Sequence, residues 1–325
     1  MEISKRGIFF TLISLLFVSI LVIMFASSST VISKYKIQSI SLRVELADSF
    51  IRNLESHYIP TLLIDTSSNA IVSITDYLYR QNNTKYFSSY EEFNNAVQEI
   101  MINGTLYKED LQSYGISTMK GKTLKSRINL IKEFASKSYQ LNLNIDTDKI
   151  KINIFQSEKT GPWYYGVNCS INYTLTTNVA SWNRSKTITV FVPIEKLNDP
   201  LFIIEPDSHY LREVKKAPFD EWDITSLNTH INQGTYRYEK RAPNYIMRFY
   251  GNFSSSPCCG IESTINKTLS NQEYNKIYID YCFWSNECDS YGPLYNITGI
   301  TNDNFPFMLD EYHVNRYNVS EEAVK

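Results

Sequence analysis

The sequence predicts an α+β protein: an N-terminal transmembrane helix extended into a long helix, a small helical region, then an antiparallel β-sheet ectodomain. Three observations predict it. An uncharged apolar run, Ile8–Ala26, opens the chain. Apolar residues then recur at helical spacing as far as Tyr139. After Asn144 the period falls from 3.6 to 2, the mark of half-buried strands. The chain thus divides into a cytoplasmic tail and transmembrane helix at 1–33, an extended helix and helical region at 34–144, and a β-rich extracellular region at 145–325. The last two form one ectodomain, because an apolar sheet face needs a cover and the preceding helices can supply it.

Ile8–Ala26 holds no charge, proline or glycine. As a helix it would span roughly 28 Å, close to the hydrocarbon thickness of a bilayer. A secretory signal core is shorter and ends at a small-x-small site, whereas "FASSST" is a poor one. The run therefore reads as a retained anchor in the membrane. Lys5 and Arg6 before it balance Lys34, Lys36 and Arg43 after it, so the positive-inside rule does not set its direction. The clustered cysteines and the sequons do, and they place the C-terminal part outside.

The helix continues beyond the run. Ile37, Ile40, Val44, Ala47, Ile51, Leu54 and Tyr58 alternate spacings of three and four, a seam for packing on the protein's own head or on neighbouring subunits. Ser27–Thr30 is the expected break, and Pro60 the expected end. Further helices follow. One carries Ile71, Ile74 and Leu78. The next opens with Ser89 and Glu92 at capping-box spacing, and another carries Leu124, Ile128, Ile131 and Phe134. "KIKINIF", "VNCSINYTL" and "TITVFVPI" then alternate as three strands of a meander with one wet face. "YIMRFYGNF" and "KIYIDYCFW" read as further strands.

Nine N-x-S/T sequons occur, at Asn82, Asn103, Asn168, Asn172, Asn183, Asn252, Asn266, Asn296 and Asn318. The strand phase puts Asn168 and Asn172 on the wet face, where a glycan does not enter the core. It puts Cys169 on the apolar face as a buried free thiol. Cys258, Cys259, Cys282 and Cys288 remain, enough for two disulfides with three possible connectivities. The favoured ones join each of Cys258 and Cys259 to one of Cys282 and Cys288.

No catalytic, cofactor-binding or metal-ligating motif is present. His57, His209, His230 and His313 stand at no metal-ligand spacing, and there is no nucleophile elbow or phosphate loop. A net charge of -2 argues against a nucleic-acid partner. The remaining candidates are Trp163, Trp182, Trp222 and Trp284, which could stack on ligands or simply pack.

The basic tail ending in "KRG" (Lys5, Arg6, Gly7), the run "IFFTLISLLF" directly after it, and the long helix leading into a β-rich head resemble an archaeal type IV pilin-like protein. The resemblance covers about a sixth of the chain. It implies cleavage by a membrane peptidase between Gly7 and Ile8, and packing of the freed helix into a filament. Leu12 stands where pilins commonly carry a glutamate. In the β-region "SWNRSKTITV" and "EKLNDPLF" resemble uncharacterised archaeal surface proteins with a similar anchor. The expected function is that of a non-enzymatic, single-pass, membrane-anchored extracellular protein, pilin-like in a surface assembly that self-associates through its N-terminal helix. The alternative is a monomeric anchored adhesin or ligand-binding ectodomain.

Overall fold

In the computed structural model, residues 5–82, 85–205, 209–219, 222–265, 276–300 and 307–325 are described. Within the first helix, side chains are described at 13–24 and from 40 onward. That helix, α1, spans Lys5–Asn53, 49 residues, or about 73 Å at helical rise. It runs straight through Ser27–Thr30, with no break. Pro60 does not end it either. Leu54–Tyr58 widens into a π-turn, and α2, Ile59–Arg80, starts at once with Pro60 in its first turn. The helical ladder carries on across the π-turn, with the Ile59 N–H donating to the Leu54 carbonyl, and the wider turn takes up the proline.

The expected transmembrane helix is corrected. Among the described residues, no helix is long and apolar enough to cross a membrane. The apolar side chains described on α1 run from Ile13 to Met24.

Among the described residues, the seam enters the core only at Ala47 and Ile51 of α1 and at Leu54 of the π-turn, with Phe50 beside them. Helix α2 follows with Leu63, Ala70, Ile71, Ile74 and Leu78 on one buried face. Helix α3, Tyr90–Asn103, is capped by Ser89, whose hydroxyl accepts from the Glu92 N–H at 3.2 Å. The Glu92 carboxylate reaches back to the Ser88 N–H at 2.7 Å, one residue earlier than a reciprocal box requires. A small hairpin, β1 (Thr105–Leu106) with β2 (Glu109–Asp110), leads to α4, Leu124–Tyr139.

Four antiparallel strands follow: β3 (Asn142–Ile145), β4 (Lys151–Phe155), β5 (Tyr164–Thr176) and β6 (Ser181–Pro193). Strand β5 is the spine. Strand β6 pairs along its whole length, and β4 and β3 share its other edge. Strand β3 is an addition to the expected meander. Tyr165, Val167, Cys169, Ile171, Tyr173 and Leu175 face inward from β5 and are buried against the helices. The Tyr165 hydroxyl donates to Ser67 of α2 at 3.3 Å. Helix α3 closes the outer edge of β4 with two amides one turn apart. Asn94 Oδ1 accepts from the Ile154 N–H at 2.9 Å, Asn94 Nδ2 donates to the Ile152 carbonyl at 3.1 Å, and Gln98 Oε1 accepts from the Ile152 N–H at 2.8 Å. An open strand edge is thereby satisfied without another strand.

Gly166 sits where the Phe155 ring crosses β5. A Cβ there would lie 2.3 Å from Phe155 Cζ. Gly166→Ala is therefore expected to lose about 1–3 kcal/mol in urea unfolding. Adding Phe155→Ala should recover part of that loss, because the obstacle is a side chain.

The C-terminal part consists of short elements: α5 (Leu201–Ile204), α6 (Ile224–Gln233), β7 (Arg237–Tyr238) paired with β8 (Ile261–Glu262), α7 (Asp280–Phe283), β9 (Leu294–Ile297) paired with β10 (Phe307–Asp310), and α8 (Glu311–Arg316). The two further strands expected here are corrected. Met247–Tyr250 is a 3-10 turn and "KIYIDYCFW" contains α7. Tyr245, Ile246, Met247 and Phe249 are all buried, so this run has no alternation for a strand to use. The buried side chains of both halves join in one hydrophobic cluster from Ala47 to Tyr317.

Candidate functional site

Three features could carry function: the N-terminal stretch of α1, the wet face of the sheet, and a buried ionic network with an adjoining cavity. On α1, Leu15 and Phe17 are 74% and 66% exposed, and Ile13, Leu16, Val18, Ile20, Leu21 and Val22 are exposed as well. The first described side-chain contact between α1 and the sheet region comes at Arg43, which donates to Asn178 Oδ1 at 2.8 Å. Gly7 and Ile8 lie in the helical backbone of α1, with side chains outside the described residues.

The wet face is built from amides and hydroxyls. Asn168, Ser170, Asn172 and Thr174 of β5 lie beside Thr189, Thr187, Ser185 and Asn183 of β6. Two sequons thus sit directly across from each other, Asn172 facing Ser185 and Thr174 facing Asn183. Asn82, Asn103, Asn172, Asn183, Asn252 and Asn318 are exposed, and Asn168 and Asn296 half-buried. Asn266 lies outside the described residues.

Cysteine pairing departs from expectation. Cys258 bonds its neighbour Cys259, and Cys282 bonds Cys288. The turn after α7 brings the Cα atoms of the second pair to 5.3 Å, ordinary disulfide spacing. Cys169 is free and buried, and burial pushes its thiol up to about 12. Cys282, Asp310 and His313 bring one donor atom each within 4.8 Å of one another. They do not suit a metal, since Cys282 is in a disulfide and both ring nitrogens of His313 face carboxylates.

Sequence reasoning misses the ionic network altogether. Among the described residues three arginines are buried: Arg212, Arg237 and Arg248. Arg248 Nη1 joins Asp199 at 2.6 Å and Asp280 at 2.8 Å, and Nη2 donates to the Ile261 carbonyl. Tyr236 also donates to Asp199, at 2.9 Å. Burial raises Asp280 to about 6, against the pull of Arg248. Arg237 meets Glu262 at 2.7 Å and Glu239 at 3.4 Å, under the Tyr317 ring at 3.9 Å. His313 lies between Asp310 at 2.5 Å and Glu262 at 3.3 Å. Burial disfavours ionised Glu262, yet Arg237 and His313 outweigh it and hold this carboxyl well below its usual range. His230 goes the other way. Burial and then Arg237 lower it to about 3, leaving a neutral ring bonded to Thr235. These charges compensate one another at close range, which fits a structural role.

Of the other candidates, His57 is exposed on the π-turn and His209 stacks on Tyr79 at 5.1 Å. All four tryptophans are half-buried and pack against the core. Comparison with known proteins finds no matching family model, curated protein or solved structure.

Proposed function

We infer that this chain is a non-enzymatic, pilin-like subunit of a surface assembly, in which the apolar stretch of α1 is covered by the same helix of neighbouring copies. The observation that carries this reading is the exposed apolar segment from Ile13 to Met24, lying ahead of the first described contact with the sheet region at Arg43. Isolated apolar side chains are ordinary on a surface, but a contiguous row of them marks an interaction site. The disulfides support a place outside the cytoplasm, and so do the sequons clustered on the wet sheet face. The Gly7–Ile8 junction supplies the processing step that such a subunit needs.

The test uses the full chain from its native host. N-terminal mass spectrometry should find the mature chain starting at Ile8. Light scattering in mild detergent should find oligomers, and Leu16→Glu with Ile20→Glu should weaken association at least about tenfold. A monodisperse monomer that retains Met1, or a monomer that floats with lipid vesicles, would sink this reading.

A further inference from the structure

A cavity of about 680 Å³ opens beside α6, lined by Glu195, Lys196, Tyr210, Arg212, Lys215 and Gln233 among others. That volume falls in the ordinary range for small-molecule sites. Its distinctive group is Arg212, which is 9% exposed. The other two buried arginines provide the comparison. Arg248 and Arg237 each meet two carboxylates. Arg212 forms no ion pair with any described residue. It donates to the Thr264 carbonyl at 2.8 Å and to Ser263 Oγ at 2.5 Å, and its guanidinium lies over Phe202 at 4.3 Å and near the Tyr236 ring at 5.3 Å. Stacking and two hydrogen bonds hold the fork in one orientation without neutralising it.

Arg212 forms part of the cavity wall. Gly234 closes α6 at φ +60°, and a Cβ on it would approach Nη2 to 3.0 Å and Nε to 3.3 Å. Glycine here lets the end of α6 pack closely against the guanidinium. A planar fork with two parallel donors matches a carboxylate better than any neutral group. Lys196 and Lys215 balance Glu195 and Glu213 around it, which leaves Arg212 as the surplus positive charge, while Asn232 and Gln233 offer hydrogen bonds to hydroxyls. We propose that this cavity binds a small hydroxylated carboxylate, of the sugar-acid class, with Arg212 as its anchor. The site is independent of α1 and of how the chain assembles.

The experiment is a titration of the ¹⁵N-labelled full chain with D-glucuronate, and in parallel with D-glucose, following the arginine Nε–Hε signals. Glucuronate should shift one arginine signal saturably in the millimolar range, and glucose should not. Lys215→Ala should weaken binding several-fold. Arg212→Lys should abolish it and identify the signal. If that variant fails to fold, Gly234→Ala keeps the guanidinium but displaces it, because a Cβ there would stand 3.0 Å from Nη2, and it should weaken binding at least about tenfold. No saturable shift, equal shifts with both sugars, or unchanged binding in Gly234→Ala would overturn the proposal.

Discussion

Replacing Arg248 with methionine should destabilise the head by about 3–5 kcal/mol, the usual range when one partner of a buried ion pair is removed. The reason is local. Asp199 and Asp280 both rely on Nη1 of this guanidinium, at 2.6 and 2.8 Å, and all three side chains are fully buried. Methionine fills much of the volume but leaves two carboxylates facing each other in a dry interior. Urea unfolding should show a lower midpoint with an unchanged slope. The loss should also depend on pH. Asp280 already sits near 6 because burial resists its ionisation. Without Arg248 it rises further, so a proton can relieve the conflict. The penalty should therefore be smaller at pH 5 than at pH 8, and adding Asp280→Asn should recover part of it at pH 8. A penalty equal at both pH values would mean that lost packing, rather than uncompensated charge, sets the cost.

How much of this was legible beforehand depends on whether the signal is local. The α3 cap at Ser89 could be read because its donor is three residues away. The β5 and β6 faces could be read because strand alternation repeats from Val167 to Leu175 in β5 and from Ile188 to Val192 in β6. Strand β3 has only four residues, too few for a pattern to stand out. Pro60 misled because the π-turn at Leu54–Tyr58 is set by packing on the sheet, with Tyr173 donating to Glu55 at 2.7 Å across 118 residues. The apolar run at the N-terminus misled in another way, since hydropathy alone does not settle whether an apolar helix spans a bilayer. The ionic network was the least legible. Asp199, Arg237, Arg248, Glu262, Asp280 and His313 come from separate short elements, and no spacing announces them. What reveals them is burial, which puts charge where only a matching charge makes it tolerable.

The same network should give the head an alkaline limit to its stability. His313 is buried between Asp310 and Glu262, with Arg237 on the far side of Glu262 and the rings of Tyr281, Tyr291 and Tyr312 packed around it. Burial alone would lower its pKa, but Glu262 and Asp310 more than reverse that and raise it to about 9. A free histidine titrates near 6.5. The folded state therefore holds the proton more tightly than the unfolded chain does. The stability gained is fully present below about pH 6.5 and is lost progressively as pH rises through 9, to a total of about 3 kcal/mol. Glu262 and His313 share one interaction, and this stability belongs to the pair. His313→Gln cannot carry the charge at any pH. Its unfolding midpoint should lie well below that of the parent chain at pH 6, and the two should converge near pH 10. Profiles that stay parallel across that range would show that His313 is neutral in the fold, and that Arg237 alone balances Glu262.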